Sequence, residues 1–206
     1  MKRVIIYCEG PTEETFVNRI LAPAFYPRNI YITASNCGGV SKYSIIKRDL
    51  RNLCKDSGAV VTSMLDYYQL PSDTPGVREA TGSVYEKVNY IEEHIRIDVD
   101  RENLMPNLML HEFEALLFSE PECFSYCGLS ERKLAELKAI RQMSETPEHI
   151  DNGPSTAPSK RILSLYPEYI KPLDGINVAQ DIGLDRMRAE CRHFDQWVTK
   201  LERLEN

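Results

Sequence analysis

The chain has 206 residues, 42% hydrophobic and 27% charged, with a net charge of -6 and a pI near 5.3. Such a composition makes a globular chain able to bury a core. It argues against non-specific nucleic-acid binding by bulk charge, since counterion release needs Lys or Arg at the phosphates. No segment approaches the ~18 apolar residues that span a bilayer. The apolar run after Met1-Lys2-Arg3 is too short for a signal peptide and meets Glu9 where a small-residue cleavage site would stand. A cytoplasmic protein with reduced thiols is therefore expected. Cys123 and Cys127 are not followed by a second ligand pair at zinc-finger spacing.

Residues 3–8 are apolar, β-branched and short, which predicts a buried strand. Glu9-Gly10-Pro11 then makes a turn. A helix follows with Thr12 as its expected cap, Thr15, Phe16, Val17, Ile20 and Leu21 as its apolar face, and Pro23 and Pro27 as its end. A second strand is expected at 29–33. The turn Cys37-Gly38-Gly39-Val40-Ser41 leads into a helix over 42–55, capped by Ser41, with Tyr43, Ile46, Leu50 and Leu53 on its core face. Residues 59–65 form a third strand ending at Asp66. The Pro- and Gly-containing segment from Tyr67 to Gly82 is a long loop of the kind that tends to carry function. Val84, Val88, Ile91 and Ile95 mark a helix over 83–97. Leu104 to Leu110 is a fourth strand, broken early by Pro106, and His111-Glu112-Phe113-Glu114 leads into another helix.

Strand and helix thus alternate through residue 118, which predicts an α/β fold with a parallel sheet of about four strands flanked by helices. After residue 120 the strand pattern stops. Helices are expected from Ser130 to about Met143, over 157–165, 176–182 and 185–204, with a loop at 144–158. The expected organisation is an α/β core over 1–120 and a C-terminal α-helical extension over 121–206, packed on the core.

Three strand ends carry acids: Glu9, Asp66, and Glu112 beside His111. In open α/β sheets, ligands bind at that end of the strands. Glu9, Glu13, Asp66 and Glu112 are hard oxygen donors that would suit Mg²⁺ or Mn²⁺ if they converge. In that arrangement Glu9 can serve as general acid or base, and His111 as ligand, donor or proton shuttle. Taken singly, each has a plainer explanation: Glu13 and Glu14 complement a helix dipole, and His111-Glu112 can cap a helix. Ser159, Lys160 and Arg161 open a helix, where backbone N–H groups and two cations would suit a phosphate; a capped helix with solvated cations is the alternative. Lys171 and Arg192-His193 add positive charge, and Trp197 reads as core.

Glu9-Gly10-Pro11-Thr12-Glu13-Glu14 after a buried strand resembles the first motif of Toprim domains, with the Glu9 and Glu13 spacing of their OLD-like nuclease branch. Asp66 resembles the start of the Toprim D-x-D motif. The ordered set of Glu9–Glu14, Asp66 to Pro71 with Pro75-Gly76, His111 to Phe118, and Pro158 to Ile162 resembles the bacterial DUF4276 family, down to Cys191-Arg192-His193-Phe194 and Trp197. The resemblance implies a Toprim-like sheet, Mg²⁺-dependent nucleic-acid cleavage, a neighbouring ABC- or AAA-type ATPase partner and a role in phage defence. The second D-x-D acid is Tyr68 in this chain, so a metal ligand is either missing or supplied by Glu112 or Glu114. Two other readings stay open: a non-enzymatic nucleic-acid-binding or regulatory partner of an ATPase, and a small-molecule phosphohydrolase.

Overall fold

A computed structural model describes residues 1–39, 42–150, 153 and 155–205. They divide into two compact units, Met1–Leu110 together with the residues from Lys200 on, and His111–Thr199.

The first unit is a parallel sheet with helical crossovers. Its elements are β1 (Lys2–Cys8), α1 (Pro11–Phe16), α2 (Ala22–Phe25), β2 (Ile30–Asn36), α3 (Tyr43–Leu53), β3 (Ala59–Asp66), α4 (Val84–Val99), β4 (Leu104–Met105) and β5 (Leu108–Met109). The strand order is β2-β1-β3-β4, with β5 also paired to β3, and every pairing is parallel. The side-chain period of a strand sorts β1 onto two faces. Ile5 and Tyr7 join a core with Tyr43, Ile46 and Leu50 of α3 and Val88, Ile91, Ile95 and Val99 of α4. Val4, Ile6 and Cys8 are buried on the alternate positions, where α1 and α2 contact β1 and β2. Asp98 ties α3 to α4 by accepting from Tyr43 Oη and Lys47 Nζ, both at 2.8 Å.

Several boundaries differ from expectation for physical reasons. Thr12 does not cap α1. Gly10 is the cap residue, Pro11 takes the first helical position where its missing N–H costs nothing, and Glu13 Oε2 accepts the Gly10 amide at 3.0 Å. Pro23 does not end the helix. A π-turn at Val17–Leu21, in which Ala22 N–H bonds Val17 O, shifts the hydrogen-bond ladder ahead of the proline. The helical run closes through a 3₁₀ turn, Tyr26–Arg28, and Asn29 in the left-handed region (φ 56°). The expected cap Ser41 lies outside the described residues; α3 starts after Lys42.

Pro106 splits the expected fourth strand into two short pieces. Ser63 of β3 mends the ladder at the break: its hydroxyl donates to Asn107 O at 2.8 Å and accepts from Asn107 N at 3.0 Å. Glu92 of α4, itself buried, accepts the Leu108 amide at 2.8 Å.

The second unit is helical. A 3₁₀ segment, Phe113–Ser119, has every residue buried and is contacted by α5 (Glu131–Gln142), α6 (Pro158–Leu165), α7 (Ile176–Ile182) and α8 (Leu184–Glu190). The helix expected over 185–204 is two helices. Cys191 in extended conformation separates α8 from α9 (Arg192–Glu202), whose residues from Lys200 on belong to the first unit. Glu148, buried on a 3₁₀ turn, accepts the His193 and Phe194 amides at 3.0 Å each and so caps α9. Trp197 is buried, as read from the sequence, with its ring 5.9 Å from that of Phe194.

Candidate functional site

The candidate residues fall into two sets, one in each unit. In the first unit, Glu9 is held at the carboxyl end of β1 from several directions. Its amide donates to Met64 O at 3.2 Å, and its carbonyl accepts from Gly39 N at 2.9 Å and Cys37 Sγ at 3.2 Å. Its side chain crosses to the next strand, where Oε2 accepts the Asp66 amide at 3.1 Å. The parallel register that sets Cys8 beside Met64 makes this reach possible. Glu13 is 3% exposed and Asp66 1% exposed, while Glu9 is half-buried. Glu14 Oε2 accepts from Asn36 Nδ2 at 2.9 Å, which joins the start of α1 to the end of β2.

The electrostatic consequence is legible in two thiols. Burial pushes the Cys8 thiol well up, and the charges of Glu13 and Glu14 add to the rise. Burial also raises the Cys37 thiol, with a further contribution from Glu9. The donors at this edge of the sheet are carboxylate oxygens. Mg²⁺ needs only one or two carboxylates besides water and substrate oxygens, so the donor set Glu9, Glu13 and Asp66 fits such a cation in kind. Among the described residues no three His, Cys, Asp or Glu side chains are arranged as a ready-made metal site.

In the second unit, His111 sits at φ 66°, a left-handed conformation uncommon outside glycine. It is 7% exposed and Glu112 6% exposed. The Glu112 side chain reaches the start of α6, where Oε2 accepts the Ser159 amide at 2.9 Å. The amide expected to face a substrate phosphate therefore already donates to an internal carboxylate. Lys160 is exposed, and Arg161 Nε donates to Thr156 O at 2.7 Å. In the loop expected at 144–158, Asn152 and Pro154 lie outside the described residues; Gly153 O accepts from Thr156 N and Ala157 N at 3.0 Å.

Glu114, 1% exposed, pairs with Lys171 at 3.2 Å. Burial raises its carboxyl pKa; Lys171 opposes the rise and the nearby Glu112 charge adds to it. Burial also raises the Tyr169 phenol, and the Glu114 charge adds to that. Gly175 packs so closely on Tyr169 Oη that any Cβ at that position would collide with it. Tyr169 and Glu148 gave no local signal in the sequence, because their roles depend on partners distant in the chain. Lys171 was visible as a charge, without its partner.

Residues 8–202 match the family described as Domain of unknown function (DUF4276). The chain belongs to the DUF4276 family. Among solved structures, the C-terminal region of the Burkholderia pseudomallei OLD protein is similar over 100% of both chains, at 14% identity and a TM-score of 0.53. The C-terminal region of the Xanthomonas campestris pv. campestris OLD protein is similar over 97% of this chain and 98% of that one, at 14% identity and a TM-score of 0.44. No curated protein matches the chain. This DUF4276 chain thus shares the fold of the Burkholderia OLD C-terminal region, an α/β parallel sheet accompanied by helices, as the motifs led one to expect. No helix among the described residues is long and apolar enough to cross a membrane.

Proposed function

We propose that this DUF4276 protein is a divalent-metal-dependent nuclease that hydrolyses phosphodiesters at the carboxyl edge of its sheet. The observation that carries the reading is the cross-strand bond from the Asp66 amide to Glu9 Oε2, which fixes two acidic residues on neighbouring parallel strand ends. A bound Mg²⁺ or Mn²⁺ would orient the phosphodiester and offset the charge that develops on it. Glu9, Glu13 and Asp66 are the residues that would hold it. Glu9 is also the general acid or base, because its backbone and side chain are both anchored. His111, held in a conformation of the kind found at functional sites, is the proton shuttle. Exposed Lys160, beside Ser159 and Arg161, attracts the substrate phosphate. On this reading, which the resemblance of the Glu9–Glu14 and Asp66 motifs to OLD-like nucleases supports, the substrate is nucleic acid, the partner an ABC- or AAA-type ATPase, and the role defence in the cytoplasm.

A second reading is a nucleic-acid-binding regulator of an ATPase with no cleavage of its own. Tyr68 in the place of an acid, and the absence of a ready-made metal site among the described residues, favour it. Purified protein incubated with Mg²⁺ or Mn²⁺ and DNA, RNA and free nucleotides, with and without the partner ATPase, separates the two. Metal-dependent cleavage of polynucleotide that Glu9→Gln abolishes supports the nuclease. Binding without cleavage under every condition overturns it in favour of the regulator. Hydrolysis confined to free nucleotides points to a small-molecule phosphohydrolase.

A further inference from the structure

The segment after β3 combines a rigid base with one outward-facing ring. Tyr67–Gln69 is a 3₁₀ turn directly after Asp66. Tyr67, Leu70, Val77 and Ala80 pack against the α3–α4 core. The turns between them are closed by backbone bonds: Leu70 N to Tyr67 O at 3.3 Å, Thr74 N to Pro71 O at 2.9 Å, Val77 N to Thr74 O at 3.2 Å, and Ala80 N to Gly76 O at 2.9 Å. The loop is therefore ordered from within.

Tyr68 stands out against this base. Tyr26, Tyr31, Tyr68 and Tyr90 are the exposed tyrosines of the first unit. Tyr26 and Tyr31 lean on each other with centroids 5.9 Å apart, and Tyr90 stacks on His94 at 4.0 Å. Tyr68 is 43% exposed, and among the described residues it has neither a ring partner nor a hydrogen bond. Its Cα lies within about 7 Å of that of Asp66, the reach of two residues, which is about the span of two stacked nucleotides. An aromatic face held ready on an ordered turn binds at little cost in conformational entropy.

We propose that Tyr68 is a stacking platform for an unpaired nucleobase of a strand lying along the Glu9–Asp66 edge. The assignment rests on the nuclease reading above and gives that site a preference for single-stranded nucleic acid. A base in a duplex has both faces covered by its neighbours and cannot use the ring. Every base has a π-face, so the platform tolerates any sequence.

The test is binding of a fluorescein-labelled oligo-dT by anisotropy, in EDTA so that no cleavage intervenes, with a duplex of the same length alongside. Tyr68→Ala is expected to weaken single-strand binding by about 5- to 150-fold, the cost of one stacked base. Tyr68→Phe is expected to bind as the wild type does, and the duplex is expected to be indifferent to both changes. Wild-type binding that Tyr68→Ala leaves unchanged, or that it weakens equally for single strand and duplex, overturns the platform and leaves the nuclease reading standing. No binding of any polynucleotide by the wild-type chain, either in EDTA or with Ca²⁺ supplied in place of Mg²⁺, overturns both.

Discussion

Glu9 Oε2 and the Asp66 amide are joined across β1 and β3 by a hydrogen bond of 3.1 Å. The acceptor is an acidic side chain and the donor is the backbone of a second acid, so a strand-to-strand contact ties the Glu9 carboxylate to the strand end that carries Asp66. Glu9→Gln keeps an amide oxygen able to accept this bond and removes the charge. The variant is expected to melt within a few degrees of the wild type and to lose metal-dependent cleavage by about 10²- to 10⁴-fold. Thermal melts beside a cleavage assay check both parts; undiminished cleavage would sink the role given to Glu9.

Ser63 closes the gap that Pro106 opens in the sheet. Ser63→Ala strands a buried N–H and a buried C=O of Asn107. A loss of about 2 kcal/mol is expected, lowering Tm by roughly 4–8 °C. Calorimetry or a denaturant titration measures it; an unchanged midpoint would mean that the break is satisfied in another way.

Glu148 holds the first turn of α9 through two backbone bonds. Glu148→Ala is expected to cost about 2–3 kcal/mol, since it leaves two buried amides without an acceptor. Hydrogen exchange at His193 and Phe194 is the specific readout. Both amides should exchange faster in the variant, while those of α5 stay protected.

Glu114 makes stability depend on pH in a direction opposite to that of an ordinary salt-bridged acid. Its carboxyl is raised in the folded state, chiefly by burial. The fold therefore holds its proton more tightly than the unfolded chain does. Its stabilising contribution is complete below the usual glutamate pKa and is lost as pH rises through the elevated folded value. Glu114→Gln, which stays neutral throughout, is expected to flatten this decline. Denaturant midpoints taken from the ordinary glutamate range upward should fall with pH in the wild type and fall less in the variant; parallel curves would refute the assignment.

Local signals carried much of the architecture. β3 and α4 stand out by their apolar runs and spacing, and Ser83 caps α4 by accepting from Glu86 N at 3.3 Å. Ser130 likewise caps α5. What escaped had no local signature. Thr12 looks like a cap, but Pro11 is fixed one position earlier at a φ that already suits a helix. The break at Cys191 contains neither Gly nor Pro and depends on Glu148, more than forty residues away. Among the candidates, Glu9 and Asp66 lie at strand ends as the sequence pattern led one to expect, because the topology alone places them there. That pattern had no means of finding that Glu112 would meet the Ser159 amide, a contact made by the folding of the helical unit.

The place of β1 has a consequence for how the chain can be handled. β1 lies inside the sheet, hydrogen-bonded to β2 on one side and β3 on the other, and those two strands are not paired with each other. Trimming the first eight residues would therefore not shave an edge; it would sever the sheet along its middle. Met1, 86% exposed, marks the point where a fusion tag can be joined without that damage.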